Sequence, residues 1–128
     1  MLRGALSRLA QMGGQELAIE LLDRFLVEGP ERLEMARAAL EAKDSYELQQ
    51  HFHRLCSDAG WLGAKEIQLL AGQGEIMAEK GEMDKLPAVL DELSHLCYQT
   101  CMSLEQEKLR MLEPSLEERP SAETPPTP

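Results

Sequence analysis

The stretch LQQHFHRLCSDAGWLGA, residues 48–64, decides both the fold and the candidate site of this chain. At about 100° per residue, its apolar residues fall on one face of a helix. These residues are Leu48, Phe52, Leu55, Ala59 and Leu62. Such a pattern predicts a helix buried along one side. His53 projects to the opposite side, where its neighbours on the helical wheel are Gln49, Cys56, Ser57 and Gly60. The stretch therefore predicts an exposed imidazole among mostly small side chains, which another protein can approach.

The composition of the chain restricts the fold class. Its 128 residues favour one domain and are enough to bury a single core. Hydrophobic residues make up 43 % of the chain but aromatic residues only 4 %, so the core must be aliphatic. Leu, Ala, Ile and Met favour helix, whereas the β-branched and aromatic residues typical of strands are scarce.

The charge and the cysteines restrict the partners and the compartment. With a net charge of −10 and a pI of about 4.7, the chain repels nucleic acid and anionic membrane surfaces. The N-terminal sequence lacks the apolar core of a signal peptide, and no stretch approaches a membrane span. Three cysteines without a dense pattern fit reduced thiols. We therefore expect a cytoplasmic protein.

Apolar periodicity predicts helices on both sides of residues 48–64, in a domain of residues 1–112. The predicted segments are a short helix over 2–12 ended by Gly13-Gly14, a helix over 15–27, a new helix or kinked continuation from Gly29-Pro30 to 42, and helices over 64–80 and 84–112. Asp44 or Ser45 is expected to cap the histidine helix. Residues 113–128 contain five of the seven prolines and four acidic residues, which predicts a disordered acidic tail. An all-α bundle follows.

The order of these motifs resembles the histidine phosphotransfer (HPt) domains of two-component phosphorelays. Downstream of His53, the residues Leu55, Ala59 and the run 62–64 are similar to the family's phosphorylation motif. Residues 16–44 resemble its Phe-Leu helix, following Pro and Leu-rich helix. Further matches are Ile67, Leu70, Glu75 and the turn at 81–84, so the resemblance covers roughly residues 6–105. It implies an antiparallel four-helix bundle, to which the short N-terminal helix is an addition.

The motif departs from the family pattern directly after the histidine. Cys56 stands in place of the usual Lys, Ser57 in place of Gly, and Asp58 in place of Ser. Gly74 also stands where the family has a large apolar residue. The absent Lys would have attracted a phosphoryl group, whereas Ser57 can still donate a hydrogen bond.

The resemblance implies a function for the exposed histidine. His53 would accept a phosphoryl group from a receiver-domain aspartate and pass it on, as a phosphocarrier and not an enzyme with its own turnover. Partners would be a response-regulator receiver domain, a hybrid sensor histidine kinase, or both. The protein is expected to be a monomer without a cofactor, since Mg²⁺ would be held by the receiver. The residues expected beside the phosphate or at the docking surface are Gln49, Cys56, Ser57, Gly60, Trp61 and Ala64.

Other interpretations of the sequence stay open. The substitutions at Cys56 and Ser57 favour a degenerate adaptor or inhibitor that docks on a receiver or kinase without being phosphorylated. A metal or redox site at Cys97 and Cys101 is a weaker alternative, because both lie on or beside the apolar face of the last helix. Positions 51 and 53 point about 200° apart on a helix, so His51 is assigned to packing and not to metal binding. Trp61 either packs against a helix end or anchors a partner.

Overall fold

A computed structural model of the protein describes residues 2–113. Its four α-helices are α1 (Leu2–Glu41), α2 (Ser45–Trp61), α3 (Lys65–Lys80) and α4 (Leu86–Leu112), with a 3₁₀ turn at Met83–Lys85 before α4. Within the described range there is no strand, which confirms the predicted all-α class. The predicted tail, apart from its first residue, lies outside the described residues.

Local sequence signals set the ends of the helices. The Asp44 carboxylate accepts a hydrogen bond of 3.1 Å from the backbone N–H of Glu47, so Asp44, one of the two predicted candidates, is the N-cap of α2. After α2 and α3 the chain turns at Gly63 and Gly81, whose φ angles of 73° and 76° favour glycine. These short connections make consecutive helices antiparallel.

The helices pack in chain order around one aliphatic core. The packed pairs are α1 with α2, α2 with α3, α3 with α4, and α4 with α1, and the most extensive of them is α2 with α3. The largest fully buried side chains include Phe52, Leu22, Leu62, Leu90 and Leu93. This arrangement is the antiparallel four-helix bundle that the sequence predicted.

The N-terminal segment, residues 2–12, is set off from the rest of α1 by a break in the backbone. Gly13 and Gly14 leave the helical region, and Gly14 has a φ of 81°. The segment packs on the bundle through Ala5, Leu6 and Leu9, which are all buried. The short extra helix is therefore present, and the glycine pair lets it change direction.

The Gly29-Pro30 pair, in contrast, lies inside a continuous helix. Gly29 is buried, and a Cβ there would lie 3.2 Å from the Phe25 ring and 3.4 Å from the Cys97 sulfur. This glycine lets α1 approach α4 closely. Of the two predicted arrangements, the continuation is the one observed. Among the described helices, none combines the length and apolar character needed to cross a membrane.

Candidate functional site

His53 stands on the solvent side of α2, opposite the buried side chains of Phe52 and Leu55. Its side chain is 69 % exposed, whereas Phe52 and Leu55 are almost completely buried. The helix therefore presents the imidazole on an open face, as the apolar spacing predicted.

Glu75 on α3 holds one edge of the His53 ring. The Nδ1 atom of His53 lies 3.2 Å from one carboxylate oxygen of Glu75 and 3.3 Å from the other. An ionised carboxylate can only accept, so a hydrogen bond here requires the proton on Nδ1. The neutral ring then carries its free electron pair on Nε2. This is the geometry of an oriented nitrogen nucleophile.

Gly74 lets α3 approach α2 closely at this contact. A Cβ on Gly74 would lie 2.8–3.0 Å from three atoms of the Phe52 ring, so the ring occupies the space of a side chain at position 74. At Gly72, a Cβ would lie 3.9 Å from the Cys56 sulfur. The departure from the family pattern at Gly74 is thus matched by the large Phe52 on the facing helix.

Three of the predicted docking residues line one groove. Ser57, Gly60 and Trp61 form one side of it with Gln68 of α3, and the N-terminal segment forms the other. Trp61 is 56 % exposed, and it also borders a second groove between α1 and α2. The structure therefore places these residues together on an accessible surface, one to two turns along α2 from His53.

The other three predicted site residues have different surroundings. The Gln49 amide donates a hydrogen bond of 3.2 Å to the Ser45 hydroxyl, which in turn donates to the Ala78 carbonyl oxygen. Cys56 is half-buried, and burial followed by the charge of Glu75 raises the pKa of its thiol. Ala64 is buried and precedes the first turn of α3.

Sequence reasoning missed the role of Glu75 and the contribution of the N-terminal segment to the groove. The signal for Glu75 is Gly74, the residue before it, because a buried glycine inside a helix marks a close approach between helices. No comparable pattern predicts which part of the bundle the N-terminal segment covers, because that depends on the backbone angles at Gly13 and Gly14.

His51 is packed between helices, in agreement with its assignment. Its side chain is only 11 % exposed, its Nδ1 lies 3.4 Å from an Arg32 nitrogen, and its Nε2 lies 3.5 Å from a Glu47 oxygen. Burial and the nearby Arg32 charge lower the pKa of His51. This favours the neutral ring in the folded protein.

Cys97 and Cys101 lie against α1 in a cleft on the opposite helix pair, α1 and α4. Their mutual hydrogen bond and burial raise the pKa of the Cys97 thiol. Between residues 2 and 113 no group of three or more His, Cys, Asp or Glu side chains is placed to hold a metal ion. The cysteine pair alone offers two ligands, fewer than the four of a structural zinc site.

The family model described as "Hpt domain" matches residues 20–122 of the chain. The chain belongs to this family. The structure of histidine-containing phosphotransfer protein B from Pseudomonas aeruginosa PAO1 is similar over 83 % of this chain and 91 % of that one, with 28 % sequence identity and a TM-score of 0.74. A search of curated proteins finds no match. The resemblance seen in the sequence is thereby confirmed, and the chain is a histidine phosphotransfer protein of the phosphorelay type.

Proposed function

We propose that the protein accepts a phosphoryl group on Nε2 of His53 from the aspartyl phosphate of a receiver domain and passes it to another receiver. The contact between His53 Nδ1 and Glu75 carries this proposal, because it leaves Nε2 as the nucleophile on an exposed ring. Members of the HPt family are phosphocarriers, which agrees with this assignment.

The transfer step needs one nucleophile and no proton transfer by an acid or a base. The Nε2 electron pair attacks phosphorus, the N–P bond forms, and the O–P bond to the aspartate breaks with its electron pair returning to the carboxylate. The proton on Nδ1 stays in its hydrogen bond to Glu75. The carboxylate of Glu75 then faces the positive charge that develops on the ring.

The receiver would dock over the face around His53. On one side lies the groove bordered by Ser57 and Trp61, and on the other lie Leu69 and Ile76 of α3, which are more than half exposed. Exposed apolar side chains beside a polar centre are typical of a protein interface. We expect Mg²⁺ to be supplied by the receiver, and the protein to act as a monomer without a cofactor.

A second candidate function is a docking adaptor that is not phosphorylated. It is favoured by Cys56, which provides no positive charge where the family usually has Lys. In the described part of the chain, the polar contact of the His53 ring is with the acidic Glu75. A phosphoryl group would therefore be placed near a negative charge.

Transfer from a phosphorylated receiver distinguishes the two functions. We expect the wild-type protein to gain a base-stable, acid-labile phosphate, and His53→Ala to gain none. His95→Ala is the matched control, because His95 is exposed on α4, far along the chain from the site. Equal absence of label in wild type and His53→Ala, with receiver binding retained, would instead establish the adaptor. Label on His53→Ala would contradict both.

A further inference from the structure

Among the described residues, one cationic side chain lines the groove that Ser57 and Trp61 border. Arg8 of the N-terminal segment is the one with a formal charge among the described lining residues, and it shares the lining with Ser57, Gly60 and Gln68. Ser57 is one helical turn from His53, about 6 Å along the helix axis. Arg8 and Ser57 thus line one groove, one helical turn along α2 from the His53 ring.

The backbone at Arg8 is held in place, whereas its side chain is not. Ala5 and Leu9, one turn before and one residue after Arg8, are 1 % and 2 % exposed. Arg3 adds an ion pair of 2.9 Å to Glu107 of α4. Arg8 itself is exposed and forms no ion pair with the described residues. Its guanidinium is therefore available for a ligand.

Two other arginines near this surface, Arg24 and Arg54, lie close to acidic groups in a separate groove. Arg24 and Arg54 line the second groove together with Asp58, and Arg24 also lies 3.4 Å from Glu20. The described residues that line the groove of Arg8 include no carboxylate. An incoming anion beside Ser57 would thus meet a positive charge that no acidic residue in the described lining of this groove offsets.

We infer that Arg8 binds the phosphoryl group carried by His53 and supplies the positive charge that Cys56 lacks. A guanidinium can donate two parallel hydrogen bonds to phosphoryl oxygens, which suits this task. Arg8 lies before position 20, where the family match begins. The phosphate-binding arginine therefore belongs to the added N-terminal segment. The inference rests on the proposed function, because it requires a phosphohistidine at position 53.

The inference can be tested without any receiver by using phosphoramidate as the donor. The histidine nitrogen displaces ammonia from phosphorus, so an N–P bond forms and the N–P bond of the donor breaks. Phosphate lost from His53 is then followed by phosphorus NMR in wild type, Arg8→Gln and Arg8→Lys. Arg24→Gln is the matched control, since it removes an exposed arginine that faces acids instead of the groove.

We expect Arg8→Gln to lose phosphate about three- to tenfold faster than wild type. Hydrogen bonds from Arg8 stabilise the negative charge on the phosphoryl oxygens, and this charge otherwise promotes cleavage of the N–P bond. The pH titration of the phosphorus signal should also move to higher pH, a change that a purely structural role would not cause. Arg8→Lys should be intermediate, Arg24→Gln unchanged, and the second substitution Cys56→Lys should restore the lifetime in Arg8→Gln.

Equal lifetimes and equal phosphorus titrations in wild type and Arg8→Gln would overturn the role of Arg8. That outcome leaves the proposed function standing, since it is decided by transfer from a receiver. If phosphoramidate labels wild type stably but receivers do not, the proposed function fails while the Arg8 comparison remains valid. A wild-type His53 that takes no phosphoryl group from either donor contradicts both.

Discussion

The close packing of α3 on α2 can be tested with a matched pair of glycine substitutions. Gly74→Ala would place a Cβ 2.8, 2.9 and 3.0 Å from three atoms of the buried Phe52 ring. Overpacking of this kind costs about 1–3 kcal/mol. Replacing a helical Gly by Ala returns about 1 kcal/mol of helix propensity. The expected net result is a loss of roughly 0–2 kcal/mol of unfolding free energy.

Gly72→Ala is the control, because it makes the same change of residue type two positions earlier in α3. Its Cβ would meet the Cys56 sulfur at 3.9 Å, an ordinary van der Waals contact. Only the propensity gain applies, so we expect a stabilisation of up to about 1 kcal/mol. Urea unfolding followed by far-UV circular dichroism gives both free energies. Equal stability of Gly74→Ala and Gly72→Ala would show that Phe52 does not limit the space at position 74.

Three other predictions concern single side chains. Glu75→Ala should slow phosphoryl transfer to His53 about two- to tenfold, because it removes a hydrogen bond worth about 0.5–1.5 kcal/mol. An unchanged rate in a rapid-quench assay would contradict the role of Glu75 in orienting the ring. Because the pKa of His51 is lowered from 6.5 on folding, the unfolded chain binds the proton more readily, and stability should fall as pH decreases below 6.5. His51→Gln should show a shallower fall in unfolding experiments, and an identical pH profile would exclude this linkage. Trp61→Ala should weaken receiver binding about tenfold or more in calorimetry if this side chain is an interface anchor, whereas equal affinity would assign Trp61 to packing.

The apolar periodicity of the chain was sufficient to predict the helices and the exposed side of α2. Leu48, Phe52 and Leu55 repeat at helical spacing, and burial of that face leaves His53 outside. Asp44 was predictable as a cap because its carboxylate needs only a local partner, the Glu47 N–H. Such features depend on neighbours within one or two turns.

The pairing of His53 with Glu75 depends on how two helices meet, which periodicity does not specify. The register between α2 and α3 is set by Phe52 filling the space above Gly74, a contact between residues 22 positions apart. The position of Arg8 is likewise set by the backbone break at Gly13-Gly14. Sequence spacing alone therefore predicted which face carries the site but not the groups contributed by other helices.

The proposed phosphoryl acceptance by His53 can be tested by identifying which histidine nitrogen is phosphorylated. NMR of the phosphorylated protein with isotope-labelled histidine separates the two ring nitrogens of each of the three histidines. We expect a phosphoryl group on Nε2 of His53, with Nδ1 still protonated beside Glu75. A phosphoryl group on Nδ1 of His53, or on His51 or His95, would contradict it.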